Sequence, residues 1–131
     1  MTVVLDASVV VSALVDDGEV GAWSEDVLHD PSLTAPHQLP VEVANILRRA
    51  AASGDVAPEI ASLAHADLLD LRIELFAYAP LADRVWELRE NVTTYDAWYV
   101  ALAERLDAPL ATLDPRLVRA TGPRCEFLVP S

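Results

Sequence analysis

Apolar positions along the chain recur in short runs with two different periods. Thr2-Val3-Val4-Leu5 is β-branched and apolar throughout, as a fully buried parallel strand is, and the reading carries it to Asp6. Ala7–Val15 then reads as a helix that stops near Asp16-Asp17-Gly18, and Val20–His29 as a second, stopped by Asp30-Pro31. Leu33-Thr34-Ala35 is a short strand closed by Pro36. Gln38–Ala52 is predicted as an amphipathic helix, with Val41, Ala44, Leu47 and Ala51 on its apolar stripe and Gly54 as its stop. Pro58 opens a helix to about Leu71, at the first-turn position proline favours. Leu75–Ala79 follows as a strand, and Pro80 opens a helix to about Glu90. Thr93 or Thr94 caps a helix that runs to about Leu106. Leu110–Leu113 is a strand, Asp114-Pro115 starts a short helix to about Ala120, and Glu126–Val129 is a last strand.

Strands that alternate with helices predict an α/β fold around a mostly parallel sheet flanked by helices. At 131 residues, with 53% hydrophobic residues and no repeat or linker, the expectation is one domain spanning 1–131. No apolar run reaches the ~18 residues of a membrane-spanning helix, so no membrane is expected among the partners. The N-terminal residues lack the basic region and cleavage site of a signal peptide. A lone cysteine, Cys125, forms no internal disulfide and fits a reducing cytoplasm. The net charge of −12 excludes a general nucleic-acid coat protein, which needs a basic field. It leaves room for an enzyme that meets a phosphate backbone at one local, cation-loaded spot, and for a basic protein partner.

Four carboxylates stand out against this pattern. Asp6 and Asp114 end strand-like runs, while Glu42 and Asp96 lie within the apolar helical stretches PVEVANIL and YDAWYVAL. Burying an ionised carboxylate is very costly unless a cation neutralises it. The chain has no lysine, and no arginine directly flanks three of the four. A bound divalent cation is the simplest neutraliser. Oxygen-only ligands select a hard ion, Mg²⁺ or Mn²⁺, over zinc, and the three histidines and one cysteine show no zinc spacing. Sites in open α/β sheets form beyond the carboxyl ends of the strands, where Asp6 and Asp114 are expected. Ser8 and Thr112 flank these two acids at two-residue spacing, and Asn45 is placed to orient Glu42 or a water.

VVLDAS, LPVEVANILRR, TTYDAWYVALAERL and LATLDPRL, in this order, resemble the PIN-domain ribonucleases, and within them the VapC toxins of bacterial toxin–antitoxin pairs. The resemblance runs from Val3 to about Leu117. It implies a PIN-like three-layer sandwich. It implies that Asp6, Glu42, Asp96 and Asp114 are catalytic and hold the metal, with Thr112 the small hydroxyl residue two positions before the last acid. It also implies an Mg²⁺- or Mn²⁺-dependent endoribonuclease in which metal-activated water attacks the phosphodiester, leaving a 3′-hydroxyl and a 5′-phosphate. The expected partners are an RNA substrate, a cognate antitoxin and a second copy in a homodimer. The antitoxin is expected to lay an apolar, arginine-bearing tail near Ala7–Val15 and Gln38–Ala52.

Each acid also has a plainer role. Asp6 and Asp114 are good helix caps, and Glu42 and Asp96 are ordinary first-turn acids. Arg48, Arg49, Arg116 and Arg119 suit a solvated face or the RNA backbone. Trp23, Trp86, Tyr95, Trp98 and Tyr99 read as core or interface. A receiver-type phospho-acceptor is excluded by the missing lysine. A haloacid-dehalogenase-like phosphatase needs an aspartate where Ser8 stands. The four glycines form no nucleotide-binding loop. A flap-type DNA nuclease and a non-catalytic metal-binding module remain as alternatives. If the four acids cluster, mutual repulsion is expected to raise their pKa values in the metal-free fold.

Overall fold

The computed structural model describes residues 1–131. Five strands, β1 (Thr2–Leu5), β2 (Ser32–Pro36), β3 (Ile73–Phe76), β4 (Leu110–Ala111) and β5 (Phe127–Leu128), form one sheet in the order β3-β2-β1-β4-β5. All four pairings are parallel. Seven helices connect them: α1 (Ala7–Val15), α2 (Glu19–Leu28), α3 (Leu39–Ser53), α4 (Pro58–Asp70), α5 (Ala82–Glu87), α6 (Thr94–Leu106) and α7 (Pro115–Arg119). α1 packs on α2, α3 and α4, whereas α6 packs on α5 and lies across β1, β2 and β4.

The chain winds outward from β1 through β2 to β3, then returns to the other side of β1 for β4 and β5. The reversal leaves a crevice beyond the carboxyl ends of β1 and β4, the usual ligand position in such sheets. Val3, Val4, Leu5, Leu110 and Ala111 are all buried, because helices cover this part of the sheet on both faces. The ladder continues past β1: the Asp6 amide donates to the Ala111 carbonyl at 3.0 Å, and the Thr112 amide to the Leu128 carbonyl at 3.1 Å. Two backbone bonds therefore fix where Asp6 and Thr112 leave the sheet.

The α3 stop is the expected one: Gly54 has φ +85°, which L side chains rarely adopt. The buried stripe of α3, however, is Leu39, Val43 and Leu47, an i, i+4, i+8 row. Val41, expected on that stripe, points outward and is 72% exposed. A helix that buries Val43 turns Val41 about 200° away. Ala44 and Ala51 are half-buried at the edge.

β3 begins two residues before the expected Leu75–Ala79, because its register pairs Ile73 with Leu33 and ends with Phe76 opposite Pro36. The helix expected from Pro80 to Glu90 is a 3₁₀ turn, Ala79–Leu81, followed by the single short helix α5. Beyond it the amides of Arg89 and Asn91 bond three residues back, so the chain continues as turns. β4 and β5 have two residues each, shorter than the expected runs 110–113 and 126–129. Past Thr112, whose amide still bonds to Leu128, the chain leaves the ladder.

The α1–α2 corner depends on Gly21. A Cβ there would stand 1.9 Å from the Asp16 carbonyl oxygen, a backbone atom that cannot step aside. Gly21→Ala is expected to cost about 1–3 kcal/mol. Thermal or urea unfolding checks this, and an unchanged midpoint contradicts the corner's geometry.

Candidate functional site

Asp6 is the first residue beyond β1, and its side chain is buried in the crevice. Its extended backbone starts α1, but its carboxylate makes no capping bond to that helix. Instead the Thr112 hydroxyl donates to Asp6 Oδ2 at 2.6 Å, and the Ser8 hydroxyl donates to the same oxygen at 3.0 Å. Ser8 Oγ in turn accepts from the Leu113 amide at 3.2 Å, and Thr112 Oγ1 from the Asp114 amide at 3.1 Å. A closed lattice of side chains and backbone thus ties the end of β1 to the end of β4. The amides of Ala7 and Ser8 at the start of α1 also favour the Asp6 carboxylate, but no capping hydrogen bond of good geometry forms.

The plain capping role does describe Asp114. Its Oδ1 accepts from the Arg116 amide at 2.9 Å and caps α7. The Arg116 guanidinium stands 3.9 Å from the same oxygen on a highly exposed side chain, a geometry worth little in water.

Glu42 and Asp96 come from two different helices. Glu42 sits in the first turn of α3, and Pro40 just before it suits that opening position. Asp96 sits in the first turn of α6, where Thr93 Oγ1 accepts the Asp96 amide at 3.2 Å. The Gln38 amide nitrogen donates to the Tyr95 carbonyl at 2.8 Å and pins the start of α6 to the start of α3. Both acids gain from the positive ends of their helices. Asn45 does not orient Glu42: it lies on the exposed face and accepts from Arg48 Nε at 3.0 Å.

Electrostatics show that Asp6, Glu42 and Asp96 share one environment. Burial raises the Asp6 carboxyl above its ordinary value, while the Thr112 and Ser8 hydroxyls pull it back down. Burial also pushes Glu42 up, to about 7, with Asp6 and Asp96 adding to the rise. Asp96 is raised by burial first, then by Asp6 and Asp114, and is eased by Thr93 and Arg116. The expected like-charge repulsion is present at Glu42 and Asp96, but desolvation is the larger cause at all three.

The four acids do not form a ready ligand shell, since no three of them already surround one point. Two buried polar atoms in the cluster lack hydrogen-bond partners: Glu42 Oε1 and the Tyr99 hydroxyl. Tyr99 belongs with the acids, although its aromatic neighbours point to a core role. It is fully buried, three residues after Asp96 and on the same face of α6. Burial raises the phenol, and Glu42, Asp6 and Asp96 raise it further, so it is a neutral donor at any ordinary pH. The signal in the sequence was that spacing from Asp96.

The PIN-domain profile matches residues 3–123. The chain belongs to the PIN-domain family. Ribonuclease VapC1 of Mycobacterium tuberculosis is 43% identical over 125 residues, covering 95% of this chain and 94% of that one. Ribonuclease VapC9 of the same species is 33% identical over 127 residues, 97% of each chain. The fold is shared with PAE2754 from Pyrobaculum aerophilum, at TM-score 0.74 and 23% identity over 97% of this chain and 83% of that one. It is also shared with VapBC2 from Rickettsia felis bound to a DNA fragment from its promoter, at TM-score 0.69, 14% identity and 98% of each chain.

The raised Glu42 carboxyl makes the stability of this PIN domain depend on pH. In the unfolded chain Glu42 returns to its ordinary value of 4.5. The folded state therefore keeps a proton that the unfolded state has lost between about pH 4.5 and about 7. This contribution is complete below that window, fades as pH rises through it and is gone above. In metal-free buffer the melting temperature is expected to fall by a few degrees from pH 5 to pH 8. Glu42→Gln is expected to flatten that fall, as seen by calorimetry of both proteins across the range. An equal slope in the two contradicts the assignment.

Proposed function

We propose that Asp6, Glu42, Asp96 and Asp114 hold an Mg²⁺ or Mn²⁺ ion, and that the chain uses it as a VapC-type endoribonuclease, the toxin of a toxin–antitoxin pair. The observation that carries this reading is Glu42 Oε1, a buried carboxylate oxygen without a partner beside the buried Asp6 and the half-buried Asp96. A donor set of carboxylate oxygens, with no lysine in the chain, fits a hard dication. A bound ion of this kind supplies charge neutralisation for the phosphate and acidifies water near neutral pH.

The chain's own residues do the positioning. Thr112 and Ser8 hold Asp6 Oδ2, so that acid is fixed before anything binds, and its Oδ1 is left for the ion. Glu42 and Asp96 swing in from two rigid first turns. Asp114 starts α7 and places Arg116 at the rim, the one arginine that eases Asp96 and a suitable contact for the RNA backbone. At a net charge of −12 the apo protein repels RNA, so substrate binding is confined to the loaded site. Attack by water breaks the P–O3′ bond and leaves a 3′-hydroxyl and a 5′-phosphate.

Regulation follows from the same electrostatics. An antitoxin tail carrying arginine neutralises the acids as the ion does, and the outward Val41 of α3, with Ile60 and Leu63 of α4, offers apolar surface to such a tail or to a second copy in a homodimer. The half-buried free Cys125 suits a reducing cytoplasm.

Incubation with total bacterial RNA and Mg²⁺ tests the reading. Wild-type protein is expected to yield discrete fragments with ligatable 5′-phosphates, and EDTA to stop the reaction. Asp6→Asn is expected to cut the rate by ~10²-fold or more without lowering the apo melting temperature. Cleavage that persists in EDTA and in Asp6→Asn overturns it.

A further inference from the structure

Two buried, unpartnered polar atoms lie together in the acid cluster, and one is a donor while the other is an acceptor. The Tyr99 phenol is fully buried on α6 with no partner for its hydroxyl. Glu42 Oε1, buried on α3, also has none. The two side chains face each other between α3 and α6, yet neither atom closes a hydrogen bond of good geometry. A buried hydroxyl left unpaired costs stability that phenylalanine would avoid at the same volume. A phenol is a hydrogen-bond donor and a carboxylate oxygen an acceptor, so each of these two unpaired atoms is what the other lacks. From this juxtaposition we infer that Tyr99 is a positioning residue for the cation site, its hydroxyl fixing the Glu42 carboxylate in the rotamer that aims the other oxygen at the ion.

The inference rests on the cation reading of the cluster. It adds a coupling between two helices. Asp96 and Tyr99 share one face of α6, so the helix that presents one acid also orients the acid of α3. A hydrogen bond that fixes a ligating carboxylate typically carries 10–100-fold in metal affinity.

The test is Mn²⁺ binding to the whole chain, measured by titration calorimetry without RNA. Tyr99→Phe is expected to bind about 10-fold more weakly than wild type, with an apo melting temperature equal or higher. In a Glu42→Gln background the same change is expected to have no further effect, whereas a merely structural tyrosine weakens binding in both backgrounds. RNA cleavage by Tyr99→Phe is expected to recover toward wild type at saturating Mn²⁺. Wild-type affinity in Tyr99→Phe overturns the inference and leaves the cation reading standing. Absence of Mn²⁺ binding in wild type overturns both.

Should Tyr99→Phe fail to fold, ¹⁹F spectra of fluorotyrosine-labelled wild type decide. The chain has three tyrosines, and Tyr78→Phe and Tyr95→Phe identify the remaining signal. The Tyr99 resonance is expected to shift on adding Mg²⁺, and a resonance that stays fixed overturns the inference.

Discussion

One short hydrogen bond organises this molecule: the Thr112 hydroxyl on Asp6 Oδ2, buried where β1 and β4 end side by side. It works because the sheet reverses direction at that point. Had β4 been added outside β3, Asp6 and Thr112 would lie at opposite edges of the sheet. The ladder bonds from Asp6 to Ala111 and from Thr112 to Leu128 set the spacing, and the two hydroxyls then hold the carboxylate before any ligand arrives. Glu42 and Asp96 reach the neighbourhood of this bond from the first turns of α3 and α6.

The arrangement costs the apo fold something. Three carboxyls with raised proton affinity, an unpaired glutamate oxygen and an unpaired phenol gather here, whereas the other unpaired buried atoms, on Ser12, Ser24 and Trp98, belong to no such group of acids. Such violations concentrate where function requires them. Under the proposed cation reading, the burial that makes the acids reluctant to ionise would also strengthen the field of a bound cation.

Much of this was legible in the sequence. The β-branched run ending in Asp6, the Thr93 cap and the Gly54 stop each depend on a few neighbouring residues, and each is found where local chemistry places it. The misplacements have tertiary causes. β3 takes its limits from pairing with β2, and α5 is cut short by the turns that lead to Thr93. Val41 fits an apolar stripe on paper, but the row buried where α3 packs on α1 and α4 is centred on Val43. At the site, spacing suggested which acids share a face but not that burial outweighs repulsion. Tyr99 was hidden among Tyr95 and Trp98, since a run of aromatics reads as core until the position of one hydroxyl is known.

Anomalous diffraction from crystals grown with Mn²⁺ locates the ion. One strong peak is expected in the crevice beyond β1 and β4, bonded to Asp6 Oδ1 and flanked by Glu42 and Asp96. Saturating Mn²⁺ with no peak there, or a peak bound elsewhere on the surface, contradicts it.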